Sequence, residues 1–443
     1  MRQRTSSIII TLAALSSTIA LASPGTVYAT DASMFRADAA HTGVYAGAAP
    51  ALSHVKWRFH SRGKIISSPT VSGGIVYVGS TDTNVYAVRA NDGSLVWKAT
   101  TEGPVNSTPA VADGRVFAAS IDGYVYALDA ATGKRAWRFK TGGERRFTAP
   151  GIHGLIPRTQ LMADPYDVLM SSPAVSGGVV YIGSGDHYVY ALDANSGAVR
   201  WKFKTGNVVH ASPAVADGTV YIGSWDRNMY ALDAVTGHER WRFQTGDDRD
   251  IYNQVGIAGS AAVANGTVYF GCRDSHFYAL DAKSGHLRWK HDDHGSWVIG
   301  SPAVRDGTVY FTTSDERRFF ALDVATGAVR FSLFSSAFSF SSPSLAGNIV
   351  YYGTFDGRLY GVDVHSGKVV ERFATDASRR NLSKYLDAHG NLDIGKLYPD
   401  FTFEGAIVGL NNTYGLGSIV GSPAIDDGAL FIGGTDGTLY ALG

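Results

Sequence analysis

Along most of this 443-residue chain, apolar and polar residues alternate in short runs closed by Gly, Asp, Asn or Ser. "SPAV", "GVVYIGS", "YVYALDA" and "AVRWKFKT" follow one another within residues 172–205 and set the pattern. A period of two, rich in β-branched and aromatic residues, predicts strands rather than helices. The whole unit then recurs. "SGDHYVYALDANSGAVRWKFKTG" (184–206) is rewritten as "SWDRNMYALDAVTGHERWRFQTG" (224–246).

Anchored on the proline of "SPAV", copies lie at Pro69, Pro109, Pro173, Pro213, Pro302, Pro343 and Pro423, with Ala261 in the same slot of an eighth. A four-stranded unit of about forty residues is the size of one propeller blade. In the turns "DAxTG" and "DAxSG", Asp and Ser/Thr bond local backbone and Gly supplies a positive φ. Four residues after that Gly stand Trp97, Trp137, Trp201, Trp241 and Trp289, replaced by Phe331 and Glu371 in the sixth and seventh copies. A large flat ring on an outer strand docks between blades, so these tryptophans are read as structural. The eighth copy ends at "LYALG" before a fourth strand, and "HVKWRFH" upstream supplies it. Trp57 lies twelve residues before Pro69, as Trp97 does before Pro109. The expected fold is all-β, a single eight-bladed β-propeller of four-stranded blades, the last closed by the N-terminal strand.

Length alone allows two or three domains, and the repeat replaces that reading with one. With 39 Lys+Arg against 39 Asp+Glu, no basic footprint for nucleic acid exists. Residues 1–29 read as a signal peptide: Arg2 and Arg4, then "SSIIITLAALSSTIALA", then small residues suiting cleavage after Ala22 or Ala29. A lead-in (30–52) precedes the propeller (53–443). No membrane span, a periplasmic or secreted location and a monomeric state are expected. Cys272 is the single cysteine, read as a buried inert thiol.

Loops after the second and fourth strands share one face, and every large insertion falls there. The anchor-to-proline spacing of 12 grows to 36 after Trp137, 20 after Trp241 and 52 after Glu371. The insertions, near 144–168, 247–258 and 375–418, interleave aromatic, apolar and arginine residues, unlike a disordered linker. This face is expected to receive a small-molecule ligand or an envelope protein. Its second-to-third strand turns read G-S-x-D, and an Asp found in every blade is a turn-former. The variable position offers Trp225 as a stacking floor and Arg273 as a cation, with Trp225 expected to sit on the rim and bury little. His210, read first as a satisfied structural histidine, and Asp250 are the catalytic candidates, and Arg146 and Asn253 are further ligand-binding candidates. Arg145 is read with Arg146 as an anion clamp or an exposed pair. "KHDDHGSW" (290–297) gathers His291, Asp292, Asp293 and His294 without a recognised metal spacing, and reads as a solvated loop.

The motif A-x-D-x-x-[ST]-G-x-x-x-W, intact at 127–137, 191–201, 231–241 and 279–289, resembles the quinoprotein-type (PQQ-like) eight-bladed propellers. That resemblance implies two unlike activities. One is alcohol or aldehyde oxidation by periplasmic dehydrogenases that use pyrroloquinoline quinone with a metal ion, Ca²⁺ or a lanthanide. The other is non-catalytic scaffolding, as in the propeller subunit of the outer-membrane β-barrel assembly machinery. A lone cysteine excludes the adjacent-cysteine disulfide of the dehydrogenases, and no C-x-x-C-H haem segment is present. No lipid-modified cysteine follows the leader, unlike the assembly lipoprotein. Whether the chain is an enzyme stays open here. The first reading is a binding scaffold, the second a quinoprotein oxidoreductase, the third a cofactor-free lyase or hydrolase at the channel mouth.

Overall fold

The computed structural model describes residues 33–247, 256–388 and 392–443; the leader and the start of the lead-in lie outside them. Eight four-stranded antiparallel sheets follow in order. Blade three is representative: Ala174–Ser176, Val179–Gly183, Tyr188–Asp193 and Val199–Lys204. The two middle strands are buried almost throughout, because neighbouring blades cover both of their faces. The outer strand alternates buried and exposed positions. Blade eight takes its fourth strand, Val55–His60, from the N-terminal side, paired antiparallel with Thr438–Leu442.

Each letter of the repeated motif has a physical reason. Across the sheet Ala191 faces Trp201, and Ala231 faces Trp241, leaving room for the indole. Asp193 Oδ1 accepts from the Ser196 N–H and hydroxyl, which tightens the turn. The Trp201 ring lies on Gly237 of the next blade. A Cβ there would approach the indole within 2.6 Å, at a φ of +73° that L side chains rarely adopt. The Trp201 indole N–H donates to Ala234 O at 3.0 Å, and Trp57, Trp97, Trp137, Trp241 and Trp289 make the same bond to the following blade. The recurrent Asp of G-S-x-D is equally explained. Asp226 accepts from the Asn228 N–H and the Tyr230 hydroxyl.

A second ring lines the channel. The residue before each proline slot accepts, through its side-chain oxygen, the N–H of its counterpart in the preceding blade. The chain of bonds runs Ser68 to Thr108, Ser172, Ser212, Ser260, Ser301, Ser342 and Ser422, and back to Ser68. Eight buried amides that no strand satisfies are thereby paired.

The lead-in is a strap. Its carbonyls at Ser33, Ala39, Ala40, Thr42 and Gly43 accept from inner-strand amides of Val111, Val215, Val263, Val304 and Leu345 in turn. Then Tyr351 donates to Pro50 O, and the Leu52 N–H donates to Glu371. Blade eight has no third-to-fourth turn for a seventh-blade tryptophan to dock on. Residues Pro50–Leu52 pass there instead, which accounts for the acceptor Glu371 at that slot.

Candidate functional site

The first and third insertions fold together over the channel mouth. The first forms a hairpin, Thr148–Pro150 with Leu161–Ala163. The third carries the helix Phe403–Tyr414, whose N-cap Thr402 accepts from the Gly405 N–H. The Ile156 N–H donates to Phe401 O at 3.0 Å and joins the two. Beneath them Ala406 packs with Phe147, Ile152, Met162 and Trp225, and Leu410 and Tyr414 pack with Val168 and Trp297.

Two sequence-predicted residues meet under this cap. Trp225 and Arg273 are 2% and 1% exposed. The Arg273 guanidinium lies 4.6 Å from the Trp225 ring centroid and 3.6 Å from that of Trp297. Its NH1 donates to Asp164 Oδ2 at 2.6 Å, and Asp164 Oδ1 faces His153 Nε2 at 2.8 Å and accepts from the Tyr166 N–H. Burial opposes a charge on Asp164, but Arg273 and His153 hold its carboxyl well below the usual range. Phe147 stacks on Trp225 at 4.5 Å. The expectation of an open rim tryptophan is therefore corrected: the first insertion lies on it.

His210 is held in the same way. Its Nδ1 is 2.7 Å from Asp167 and its Nε2 3.5 Å from Glu144. Burial works against an imidazolium, yet Asp167 and then Glu144 outweigh it and lift the pKa to about 10. Glu144 also accepts from the Ser184 hydroxyl and the Gly185 N–H. Gly185 is glycine because the insertion starts on it; a Cβ would come within 2.3 Å of the Arg145 nitrogen. With both ring nitrogens facing carboxylates, His210 is spent on holding the cap.

Arg146 is exposed and joins neither cluster. Asp250 and Asn253 lie outside the described residues. Cys272 is buried, its Sγ against the Thr245 hydroxyl and Gly256 O, and burial pushes the thiol pKa well up. In "KHDDHGSW" the reading as a solvated loop needs one correction. Asp293 is buried and neither carboxyl oxygen has a hydrogen-bond partner. Sequence reasoning missed Glu144, His153, Asp164 and Asp167. Their signal was a match of charge: three carboxylates in one insertion, facing Arg273 and His210 on the same side.

Between cap and strap, the serine ring, His210, Asn106 and Phe35 enclose a cavity of about 40 Å³. That is room for a few waters, whereas sites for organic ligands are typically ~300–1,000 Å³. A planar, carboxylate-bearing quinone needs an open aromatic face, unpaired cations and oxygen ligands for its metal. Trp225 is stacked on Phe147 and Arg273 is paired with Asp164. Among the described residues no group of three or more His, Cys, Asp or Glu is arranged to hold a metal. The described residues do not fit that group.

The chain matches the model of the family described as outer membrane protein assembly factor BamB over residues 48–152, 159–292 and 249–392. No curated protein sequence matches it. Among solved structures it is similar to BamB from Moraxella catarrhalis, at 16% identity and a TM-score of 0.61, covering 88% of this chain and 96% of that one. It is similar also to a europium-containing methanol dehydrogenase, at 16% identity and a TM-score of 0.68, over 93% and 98% of the two chains. Quinohemoprotein alcohol dehydrogenase from Comamonas testosteroni gives 16% identity and a TM-score of 0.68, over 94% and 81%. Identity that low establishes the fold, which scaffold and dehydrogenase share, and leaves activity to be argued from the site.

Proposed function

We propose, for a chain that belongs to the BamB family of PQQ-like propellers, that it is an exported scaffold which binds a protein partner on its capped face. The observation that carries this reading is the buried Arg273–Asp164 pair beneath Phe147 and Trp225. The mouth where a small ligand would lie is filled by the chain's own side chains. Outward, the same two insertions present apolar groups: Phe401 is 78% exposed and Leu161 66%, with Ile156 and Val408 also exposed. Exposed apolar patches among polar residues are common at protein interfaces. The family's description as an outer membrane assembly factor supports a partner in the cell envelope. No helix among the described residues is long and apolar enough to cross a membrane. Export follows if residues 1–29 serve as a leader cleaved after Ala22 or Ala29.

Two arms test the reading. Melting is followed with pyrroloquinoline quinone plus Ca²⁺ or a lanthanide at a hundred times a micromolar dissociation constant. A true ligand would stabilise the fold by ~2.7 kcal/mol; no shift and no dye reduction with alcohols are expected. In the second arm, a photocrosslinking residue at Phe401 or Leu161 should yield one discrete protein adduct in cell envelopes. Phe401→Asp should remove the adduct formed from position 161 without changing melting. A quinone-induced shift, or no adduct from either position, overturns the scaffold reading.

A further inference from the structure

On the flank of the disc, away from the cap's buried pair, blades two and three part to leave a cleft of about 760 Å³. Its chemistry follows from the outer strands. The residue after each docking tryptophan is usually cationic and lies across the sheet from a tyrosine: Tyr126 faces Arg138, Tyr190 faces Lys202, Tyr440 faces Arg58. Where the preceding connection supplies a carboxylate just after its Thr, that carboxylate takes up the cation. Glu102 pairs with Arg138, and Asp376 with Arg58. Between blades two and three the corresponding residue is Gly142, so Lys202 has no such acid.

The first insertion makes the imbalance larger, because its opening turn brings Arg145 to the cleft beside Lys202, whereas Lys140 on the bordering strand turns its Nζ over Tyr124 on that strand's other face. Neither Arg145 nor Lys202 makes an ion pair among the described residues. Among the described residues, the one carboxylate lining the cleft, Asp186, already accepts from the Gly142 N–H and from the Tyr190 hydroxyl at 2.6 Å. Two cations against one carboxylate leave a local charge of +1. Tyr188 gives the cleft a flat wall, with Lys202 Nζ 4.9 Å from its ring centroid.

We infer that this cleft binds a small anionic ring compound, its carboxylate or phosphate groups held by Arg145 and Lys202 and its ring against Tyr188. The volume suits such a ligand, Arg145 offers a planar fork to a carboxylate or phosphate, and Lys202 acts as a point charge. An aromatic wall beside cations favours a ring over a bare ion. Arg145 comes from the base of the cap, but the cleft is lined by neither the cap's buried pair nor its exposed Phe401 and Leu161, and a protein partner there neither requires nor excludes the anion.

Calorimetry on the mature chain tests this with three probes: benzene-1,3,5-tricarboxylate, its uncharged triol analogue, and inorganic phosphate. The tricarboxylate should bind at least tenfold more tightly than the triol, and more weakly as salt rises. Lys202→Gln and Arg145→Gln should each weaken it about fivefold without moving the melting temperature, since both side chains are exposed. Tyr188→Ala should weaken the tricarboxylate and leave phosphate unchanged. Equal binding of triol and tricarboxylate, or parental affinity in both charge variants, overturns the site. Phosphate binding as tight as tricarboxylate binding overturns the ring's part in it. Because Phe401 and Leu161 lie elsewhere, loss of the envelope adduct and loss of anion binding are separately readable.

Discussion

Arg273 and Asp164, 109 residues apart in the chain, meet at 2.6 Å with both side chains buried. The pair joins blade five to the first insertion and fixes the cap. Removing one partner leaves the other charged and buried, which typically costs ~3–5 kcal/mol. Arg273→Met or Asp164→Leu alone should therefore lower urea midpoints sharply and open residues 144–168 to protease. The double variant should recover much of the loss, because two apolar groups replace two charges. A double variant no more stable than either single would show that the pair is not what fixes the cap.

Much of the architecture was legible because it is local and repeated. Turn chemistry at Asp193, Ser196 and Gly197 and the tryptophan four residues on recur with small variation, so eight copies and the Trp57 seam can be counted. The cap was not legible. Phe147, Asp164 and Asp167 occur once each, in a segment without period, and a match of charge alone does not say which carboxylate meets which cation a hundred residues away. The strap was missed for another reason. It works through backbone carbonyls, which carry no residue signature. Glu371 departs from the motif because Pro50 and Leu52, rather than a turn, lie beside it.

Trp201 and Trp225 now carry a different contrast from the one the sequence suggested. Both are buried, so truncation of either to alanine should cost ~3–5 kcal/mol. Trp201→Ala opens the seam between blades three and four, and should loosen amide protection in both. Trp225→Ala removes the floor under Phe147 and should expose the first insertion to protease while blade amides stay protected. Hydrogen exchange resolved by segment distinguishes the two. Identical patterns would mean that cap and blades melt as one unit.

Asp293 stands where five blades have a threonine, Thr375 among them. Thr101, Thr141, Thr205 and Thr245 each donate a hydroxyl to a carbonyl in the second-to-third strand turn, at 2.9–3.1 Å. Burial, then Asp292, Asp274 and Glu316, push Asp293 well above the usual carboxylate range, and His291 Nε2 lies 3.8 Å away. Unfolded, the group ionises near pH ~4. Its contribution to stability is thus complete below that pH and is lost as pH rises towards its native value. Asp293→Thr carries no such loss. Its advantage in urea midpoint should grow as pH climbs above ~4, reaching about 1–3 kcal/mol near neutrality. Parallel curves for variant and parent would show that the carboxyl ionises freely in the fold.

His210 titrates in a different window. Its native pKa is raised to about 10 by Asp167 and Glu144, against burial, while an unfolded histidine titrates near ~6.5. The contribution is full below ~6.5 and lost as pH rises through about 10. Stability should fall across that interval by a few kcal/mol, at no more than ~1.4 kcal/mol for each step of one in pH. His210→Gln should be less stable than the parent at pH 6 and should lack most of the slope. The histidine Cε1 resonance gives a direct check, and a midpoint near 7 would sink the assignment of a charged His210 at neutral pH.

The seam at Trp57 is the place where the disc is held by one strand from the far end of the chain. Val55–His60 pairs with Thr438–Leu442, and Trp57 then reaches blade one, donating to Ala90 O at 2.8 Å with its ring on Gly93. Trp201 makes the same contacts in the middle of the chain, where covalent connections hold both neighbouring blades. Equal contacts predict similar losses at equilibrium, ~3–5 kcal/mol for alanine at either site. Local opening should differ. Without its indole, the Val55–His60 strand can detach as a terminal segment and leave Thr438–Leu442 as an unpaired edge. Trp57→Ala should therefore speed exchange of the Thr438–Leu442 amides well beyond the global opening rate and promote association through that edge. Trp201→Ala should raise exchange on both sides of its seam without aggregation. If Trp57→Ala leaves the Leu439 and Ala441 amides exchanging at the global rate, the strand is fixed by its sheet register alone and the tryptophan does not lock the ring.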